Sequence, residues 1–138
     1  MREEIDYLRA YLSVEQERWG DRLQVVWEID EDTLDLALPP LTLQPVVENA
    51  LVHGIGNRLE GGTLSIRAER KNGSLVVCIR DDGPGFPKRY RERTGLGNLR
   101  KRLDTIYGEE ATVRSGGKGK GASVTVEIPL QETTGVKP

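Results

Sequence analysis

The chain is poor in the residues that most often carry chemistry: one cysteine, one histidine, one methionine and one phenylalanine among 138 positions. A single cysteine excludes an internal disulfide framework and suits a reducing compartment. No apolar run approaches the roughly 20 residues that cross a bilayer, and the start of the chain lacks the pattern of a secretory signal. Charge of one sign is also missing. With 20 basic and 22 acidic side chains the formal net charge is -2, so bulk electrostatics does not draw the chain to nucleic acid. No internal repeat is visible. At this length one domain with a sizeable core is expected, and two ordinary domains are not.

What is present alternates between helical and strand periods. Arg2 to Trp19 reads as a long helix with Ile5, Leu8, Leu12 and Trp19 on one stripe, Tyr7, Tyr11 and Val14 beside it, and Gly20-Asp21 as the stop. Leu23 to Ile29 alternates as a strand. After Pro39-Pro40, Leu41 to Val52 has helical spacing, with Pro45 in its first turns, where a missing amide is tolerated best. Thr63 to Arg70 and Ser74 to Arg80 form a hairpin across Lys71-Asn72-Gly73. Leu96, Leu99, Leu103 and Ile106 mark a third helical stripe, and Ala111 to Ser115 and Ala122 to Ile128 close the domain as strands. Cys78, with no metal or nucleophile constellation around it, reads as a small buried strand residue.

Four short segments stand out by their order: Glu48-Asn49-Ala50, Asp81 to Phe86, Thr94 to Leu99, and Gly119 to Ala122. A carboxamide such as that of Asn49 is a neutral, hard ligand suited to Mg²⁺, which takes its other oxygens from phosphates and water. Glu48 lies about a hundred degrees round the same helix, and a pair of solvated helix residues fits this local pattern as well. His53 follows Asn49 by one turn and shares its face, within reach of ribose or phosphates or simply structural. Asp81 at a strand end can accept a hydrogen bond from the exocyclic amine of adenine, where guanine presents a carbonyl oxygen, or else cap its own turn through Asp82-Gly83. Gly83 and Gly85 let backbone approach a base. Gly95 and Gly97 precede the third helix, so their amides can face phosphates. Lys88, Arg89, Arg91, Arg93, Arg100, Lys101 and Arg102 gather around that turn, either as a solvated face or as a lid balancing a triphosphate.

Taken together, these segments resemble the catalytic ATP-binding domain of sensor histidine kinases, in the superfamily that also holds gyrase, the ninety-kilodalton heat-shock chaperones and mismatch-repair ATPases. Asn49 resembles the Mg²⁺-binding asparagine of the N box, Asp81-x-Gly83-x-Gly85 the adenine-binding G1 box, Gly95-x-Gly97 the G2 box, and Gly119-x-Gly121-Ala122 the last glycine box. Tyr11-Leu12 through Arg18, Leu38-Pro39-Pro40, and Leu43 through Gly54 are similar to the LytS-type kinases. The resemblance spans about Glu4 to Leu130. It implies ATP and Mg²⁺ as cofactors, Glu48 and Asn49 as catalytic positions, Asn49 as the metal ligand, and Asn49, His53, Asp81, Gly83, Gly85, Arg93, Gly95, Leu96, Gly97, Gly119, Gly121 and Ala122 around the nucleotide. Two departures matter. Hydrolytic members carry a glutamate where this chain has Pro45, so the resemblance implies phosphoryl transfer to protein rather than hydrolysis, and the lysine usual three residues after the asparagine is Val52 here.

The resemblance further implies an α+β two-layer sandwich, the Bergerat fold, with a mixed sheet of about five strands, helices on one face and a mobile lid from Gly83 to Arg93. Residues 1–20 would be a helix connecting to dimerisation and phosphoacceptor helices upstream, 21–130 the ATP-binding domain, and 131–138 a frayed tail; packing of the first helix on its own domain explains its apolar stripe equally well. The expected partners are those upstream helices and a response regulator, in a homodimeric parent whose cytosolic portion this chain would be. A serine kinase of the anti-sigma-factor type and a non-catalytic interaction module are the alternatives.

Overall fold

A computed structural model describes residues 1–55, 61–82, 94–116 and 121–130, the side chains of residues 53–55, 94 and 95 excepted. It consists of α1 (Arg2–Trp19), β1 (Leu23–Ile29), α2 (Gln44–Asn49) continued as a π-helical segment (Ala50–Ile55), β2 (Gly62–Lys71), β3 (Ser74–Asp81), α3 (Thr94–Tyr107), β4 (Thr112–Gly116) and β5 (Ala122–Pro129). The strands form one sheet in the order β1-β2-β3-β5-β4. β1 and β2 are parallel and the remaining pairs antiparallel. A parallel pair needs a crossover, and the chain from β1 to β2 supplies it while carrying α2.

The pleat sorts each strand into two faces. Register aligns Ile29, Ala68, Val77, Val126 and Val113 in one row across the sheet, and Trp27, Ile66, Ile79 and Val124 in the next. These rows face Ile5, Leu8 and Leu12 of α1, Val46 and Val47 of α2, and Leu96, Leu99 and Leu103 of α3 in one core. The opposite face carries Arg67, Arg80 and Arg114, all exposed, with Cys78 half-buried among partly exposed neighbours. This is the expected α+β two-layer sandwich. Among the described residues no helix is long and apolar enough to cross a membrane.

Several expectations shift in detail. Ile106 is 49% exposed, so the α3 stripe ends at Leu103. Cys78 is half-buried rather than buried, because its place in the alternation puts it on the open face. The second helix begins at Gln44 and not Leu41: Leu41 has φ 60°, a left-handed conformation that no helix accommodates, and Thr42 follows in a turn. After Asn49 the helix widens to π geometry instead of running on as α. Gly95 and Gly97 lie inside the first turn and a half of α3 rather than before it.

α1 is bound into the domain by more than its apolar stripe. The Gln16 amide donates to the Leu23 carbonyl at 3.3 Å, the Arg2 backbone N–H donates to the Leu34 carbonyl at 3.0 Å, and the Arg9 guanidinium lies 4.5 Å over the Trp27 ring. Leu8 is fully buried. Leu8→Ala is therefore expected to cost about 2–5 kcal/mol of unfolding free energy in urea denaturation. A change below about 0.5 kcal/mol would mark α1 as a detachable connector rather than part of this core.

Candidate nucleotide-binding site

Asp81 ends β3 on the same face as Leu75, Val77 and Ile79, because it continues their alternation. Its row across the sheet is Val25, Leu64, Asp81, Ala122, a carboxylate set among apolar and small neighbours. It is only 4% exposed. A carboxylate placed there costs stability unless hydrogen-bonding groups engage it, which is the environment of a specific acceptor rather than of a solvated turn. The next residue shows the other behaviour. Asp82 Oδ1 accepts the Thr63 N–H at 2.9 Å, and the Asp82 N–H reaches the Thr63 carbonyl at 3.3 Å, so Asp82 pins the start of β2. The pleat thus sets the two neighbours apart: Asp81 is buried on the core side and Asp82 is exposed.

Gly121, one residue before β5, closes the same corner. Its φ is +74°, and a Cβ there would lie 2.6 Å from the Asp81 carbonyl oxygen. No side chain fits, on conformation or on space. Ala122 pairs directly with Asp81. The last glycine segment and the aspartate segment, 40 positions apart in sequence, therefore meet backbone to backbone at one end of the sheet.

Asn49, half-buried, is the last residue of α2, and the π-helical continuation packs against β2 and β3. α2 has six residues, too few to be stable alone. Its first turn is held from outside: Glu4 Oε2 of α1 accepts the N–H groups of Leu43 and Gln44 at 2.7 and 3.1 Å. The Gln44 amide in turn donates to Tyr7 Oη at 3.1 Å and to Glu48 Oε2 at 2.8 Å. From the other side the Arg102 guanidinium of α3 donates to the carbonyls of Pro40 and Leu41. Thr42, fully buried, donates its hydroxyl to the Pro39 carbonyl at 2.6 Å. These bonds account for the left-handed Leu41, a strained position kept by over-determination.

The structure thus brings Asp81, Gly121 and Ala122 together at one sheet end and sets the α2 segment with Asn49 and Ala50 over that sheet. Leu96 is buried in the core on α3. Glu48 is exposed and turned to α1, where burial first and then the charges of Glu15 and Glu48 raise the Tyr11 phenol above its ordinary range. Val52 is 60% exposed. Of the basic cluster, Arg100 donates to the Val113 carbonyl and Arg102 to the carbonyls of Pro40 and Leu41 before α2, so both also brace the fold, while residues 88–93 lie outside the described residues. Gly83, Gly85, Arg93 and Gly119, the lid from Gly83 to Arg93, and the tail 131–138 lie outside the described residues, as does the side chain of His53. Sequence reading missed Glu4 and Thr42, and took Arg102 only as a member of the basic cluster. Glu4 and Arg102 act on backbone groups tens of positions away, and no local spacing signals that.

Residues 39–132 match the model of the family described as histidine kinase-, DNA gyrase B- and HSP90-like ATPases. The chain belongs to this family. It is an ATP-binding domain, and its sequence relatives include sensor kinases of the LytS type. The YwpD protein of Bacillus subtilis is 36% identical over 97% of this chain and 51% of its own length. Sensor protein LytS of Staphylococcus saprophyticus is 30% identical over 94% of this chain and 24% of its own length, and sensor histidine kinase YpdA of Escherichia coli 32% over 96% and 25%. The chain thus spans between a quarter and a half of these relatives. Among solved structures, the blue-light activated histidine kinase of Erythrobacter litoralis superposes with a TM-score of 0.72 at 26% identity, covering 94% of this chain and 42% of that one. The nucleotide-free catalytic domain of histidine kinase ThkA shares the fold, with a TM-score of 0.72 at 20% identity over 92% of this chain and 91% of that one. ThkA has also been solved in complex with response regulator protein TrrA.

For this ATP-binding domain the contact between Gly121 and Asp81 gives a direct test. Gly121→Ala is expected to lower unfolding stability by about 1–3 kcal/mol and to weaken ATP binding with it, because the β5 start must move off the Asp81 carbonyl. Thermal unfolding and calorimetric titration with an ATP analogue read the two effects. An unchanged chain by both measures would mean that this corner tolerates displacement.

Proposed function

We propose that this chain is the catalytic domain of a two-component sensor histidine kinase, which transfers the γ-phosphate of ATP to a histidine on upstream dimerisation helices of its parent. The observation that carries the reading is Asp81, a carboxylate 4% exposed at the end of β3 between the apolar Leu64 and Ala122, with Gly121 packed on the Asp81 carbonyl. Asp81 accepts the exocyclic amine of adenine and turns away the carbonyl that guanine offers there. Gly83, Gly85, Gly95, Leu96, Gly97, Gly119, Gly121 and Ala122 line the nucleotide, with His53 and Arg93 toward the phosphates in place of the lysine that Val52 replaces. Residues 1–20 then link this domain to the upstream helices, with Tyr7, 48% exposed, and Val14, 58% exposed, on their outer side.

The donor set fits Mg²⁺ bound with the nucleotide. Asn49, half-buried at the end of α2, would offer its carboxamide oxygen as a hard neutral ligand, with the remaining ligands supplied by phosphate and water. When bound, Mg²⁺ offsets charge on the phosphates. The chain's own residues position: Asn49 fixes one end of the nucleotide, Asp81 the other, and together they set the γ-phosphate in line for an incoming imidazole. Pro45, which carries no base, supports transfer to protein over hydrolysis. Glu48, exposed at the end of α2, accepts the Gln44 amide within the same helix and stands beside Asn49 as the second catalytic position. The histidine kinases among the relatives favour a histidine acceptor over a serine, and the ThkA–TrrA complex supports a response regulator as downstream partner. A homodimeric parent with this portion in the cytosol belongs to the same proposal.

Calorimetric titration tests it. The chain is expected to bind an ATP analogue and not its GTP counterpart, and Asp81→Asn to weaken ATP by roughly tenfold or more while the fold persists. Equal binding of both nucleotides, or an unaffected Asp81→Asn, would defeat the assignment of Asp81. Incubated with γ-labelled ATP, the chain alone is expected to show no phosphohistidine, and to label a histidine only when the upstream helices of its parent are supplied.

A further inference from the structure

The short helix that ends on Asn49 lacks an N-terminal cap of its own. Its flanking residue is Leu43, whose side chain accepts no hydrogen bond, and Pro45 within the first turn has no N–H to offer. The two donors left at its start, the N–H groups of Leu43 and Gln44, converge on one oxygen of Glu4, at 2.7 and 3.1 Å. Glu4 belongs to another helix, 39 and 40 positions earlier in the chain. A carboxylate on the positive end of a helix is favoured by charge as well as by hydrogen bonding, and bonds to a charged acceptor are the stronger kind. The Gln44 amide adds a second tie to α1 through Tyr7 Oη at 3.1 Å.

We propose that Glu4 is a positioning residue for Asn49: it fixes where α2 begins, and so where the carboxamide at its far end points. This rests on the reading of Asn49 as the metal-side ligand of the nucleotide. The distance is short. Six residues rise only about 9 Å, so a shift or tilt at Gln44 reaches Asn49 nearly undiminished. Mg²⁺ makes the tolerance narrow, since it demands near-octahedral ligands at about 2.0–2.1 Å. Asp81 does not depend on this tie, because the backbone ladders to Leu64 and Ala122 hold it in the sheet. Any movement of α1 along the sheet would therefore alter the metal side of the site and leave the adenine side in place. α1 thus acts on the site through a carboxylate that never touches the nucleotide.

The test separates those two sides. ATP affinity is measured calorimetrically with Mg²⁺ and with EDTA, for the unaltered chain and for Glu4→Ala, Glu4→Gln and Asn49→Ala, after thermal unfolding has shown each to be folded. The ratio of the two dissociation constants reports the metal contribution. Glu4→Ala is expected to reduce that ratio at least threefold while the affinity in EDTA changes less than twofold. Glu4→Gln, whose amide oxygen still accepts both N–H groups, is expected to recover at least half of the loss. If Glu4→Ala does not fold, Glu4→Asp, one methylene too short to serve both donors, is judged by the same ratio.

A collapsed ratio in Asn49→Ala beside an unchanged ratio in Glu4→Ala would overturn the positioning role and leave the metal reading standing. Equal losses with and without Mg²⁺ in Glu4→Ala would also overturn it, reducing Glu4 to general stability. An unchanged ratio in Asn49→Ala would overturn the metal reading, and the role of Glu4 with it.

Discussion

A helix of one and a half turns cannot hold itself, and the candidate site of this protein depends on one. α2 gains one intrahelical bond for each residue beyond its nucleus and has almost none beyond it, so its place is set by neighbours. Glu4 takes its free N–H groups, Arg102 takes the carbonyls of the loop before it, and buried Thr42 closes the turn between. The left-handed Leu41 follows from these ties, being the backbone cost of bringing the chain from the Pro39-Pro40 segment into a helix at that spot. Asn49 is thus placed by α1 and α3 as much as by its own helix.

The Asp81 part of the candidate site is built on another principle. Asp81 sits between two antiparallel partners, and the backbone ladders on both sides fix its position. Its burial is a consequence of parity: one residue earlier, Arg80 points out of the open face, and one later, Asp82 binds Thr63. Two adjacent aspartates of equal chemistry thus acquire opposite environments, one buried and one exposed. Gly121 then brings β5 onto the Asp81 carbonyl more closely than any side chain would permit.

Among the described residues, several guanidinium groups brace the fold. Arg100 and Arg102 reach backbone carbonyls and Arg9 covers Trp27. The Arg2–Asp35 pair at 3.1 Å is solvent-exposed on both sides, where such pairs contribute little. In the open sheet face, Arg114 meets Glu127 across β4 and β5 at 3.5 Å. A guanidinium that satisfies a carbonyl at a chain turn serves the fold in a way that a formal charge count does not reveal. Arg100 and Arg102, read in the sequence only as members of one basic cluster, each gain such a carbonyl in the fold.

The sequence by itself determined the elements and their chemistry. Period-two alternation set β1, β2, β3 and β5 to within a residue or two, the stripe of Ile5, Leu8 and Leu12 set α1, and the order of Asn49, Asp81 and Gly121 identified the nucleotide family, because all of these are carried by short-range spacing. Tertiary structure alone decided which aspartate is buried, that the second helix starts at Gln44 and turns to π geometry after Asn49, that Ile106 leaves the core, and that Glu4 and Arg102 hold α2. The physical reason is long-range in each case but that of Ile106, which lies past the end of the sheet-facing stripe. Burial parity at a strand end, strain at Leu41 and hydrogen bonds to bare backbone groups are settled by partners tens of residues away, and a backbone N–H or carbonyl looks the same at every position of a sequence.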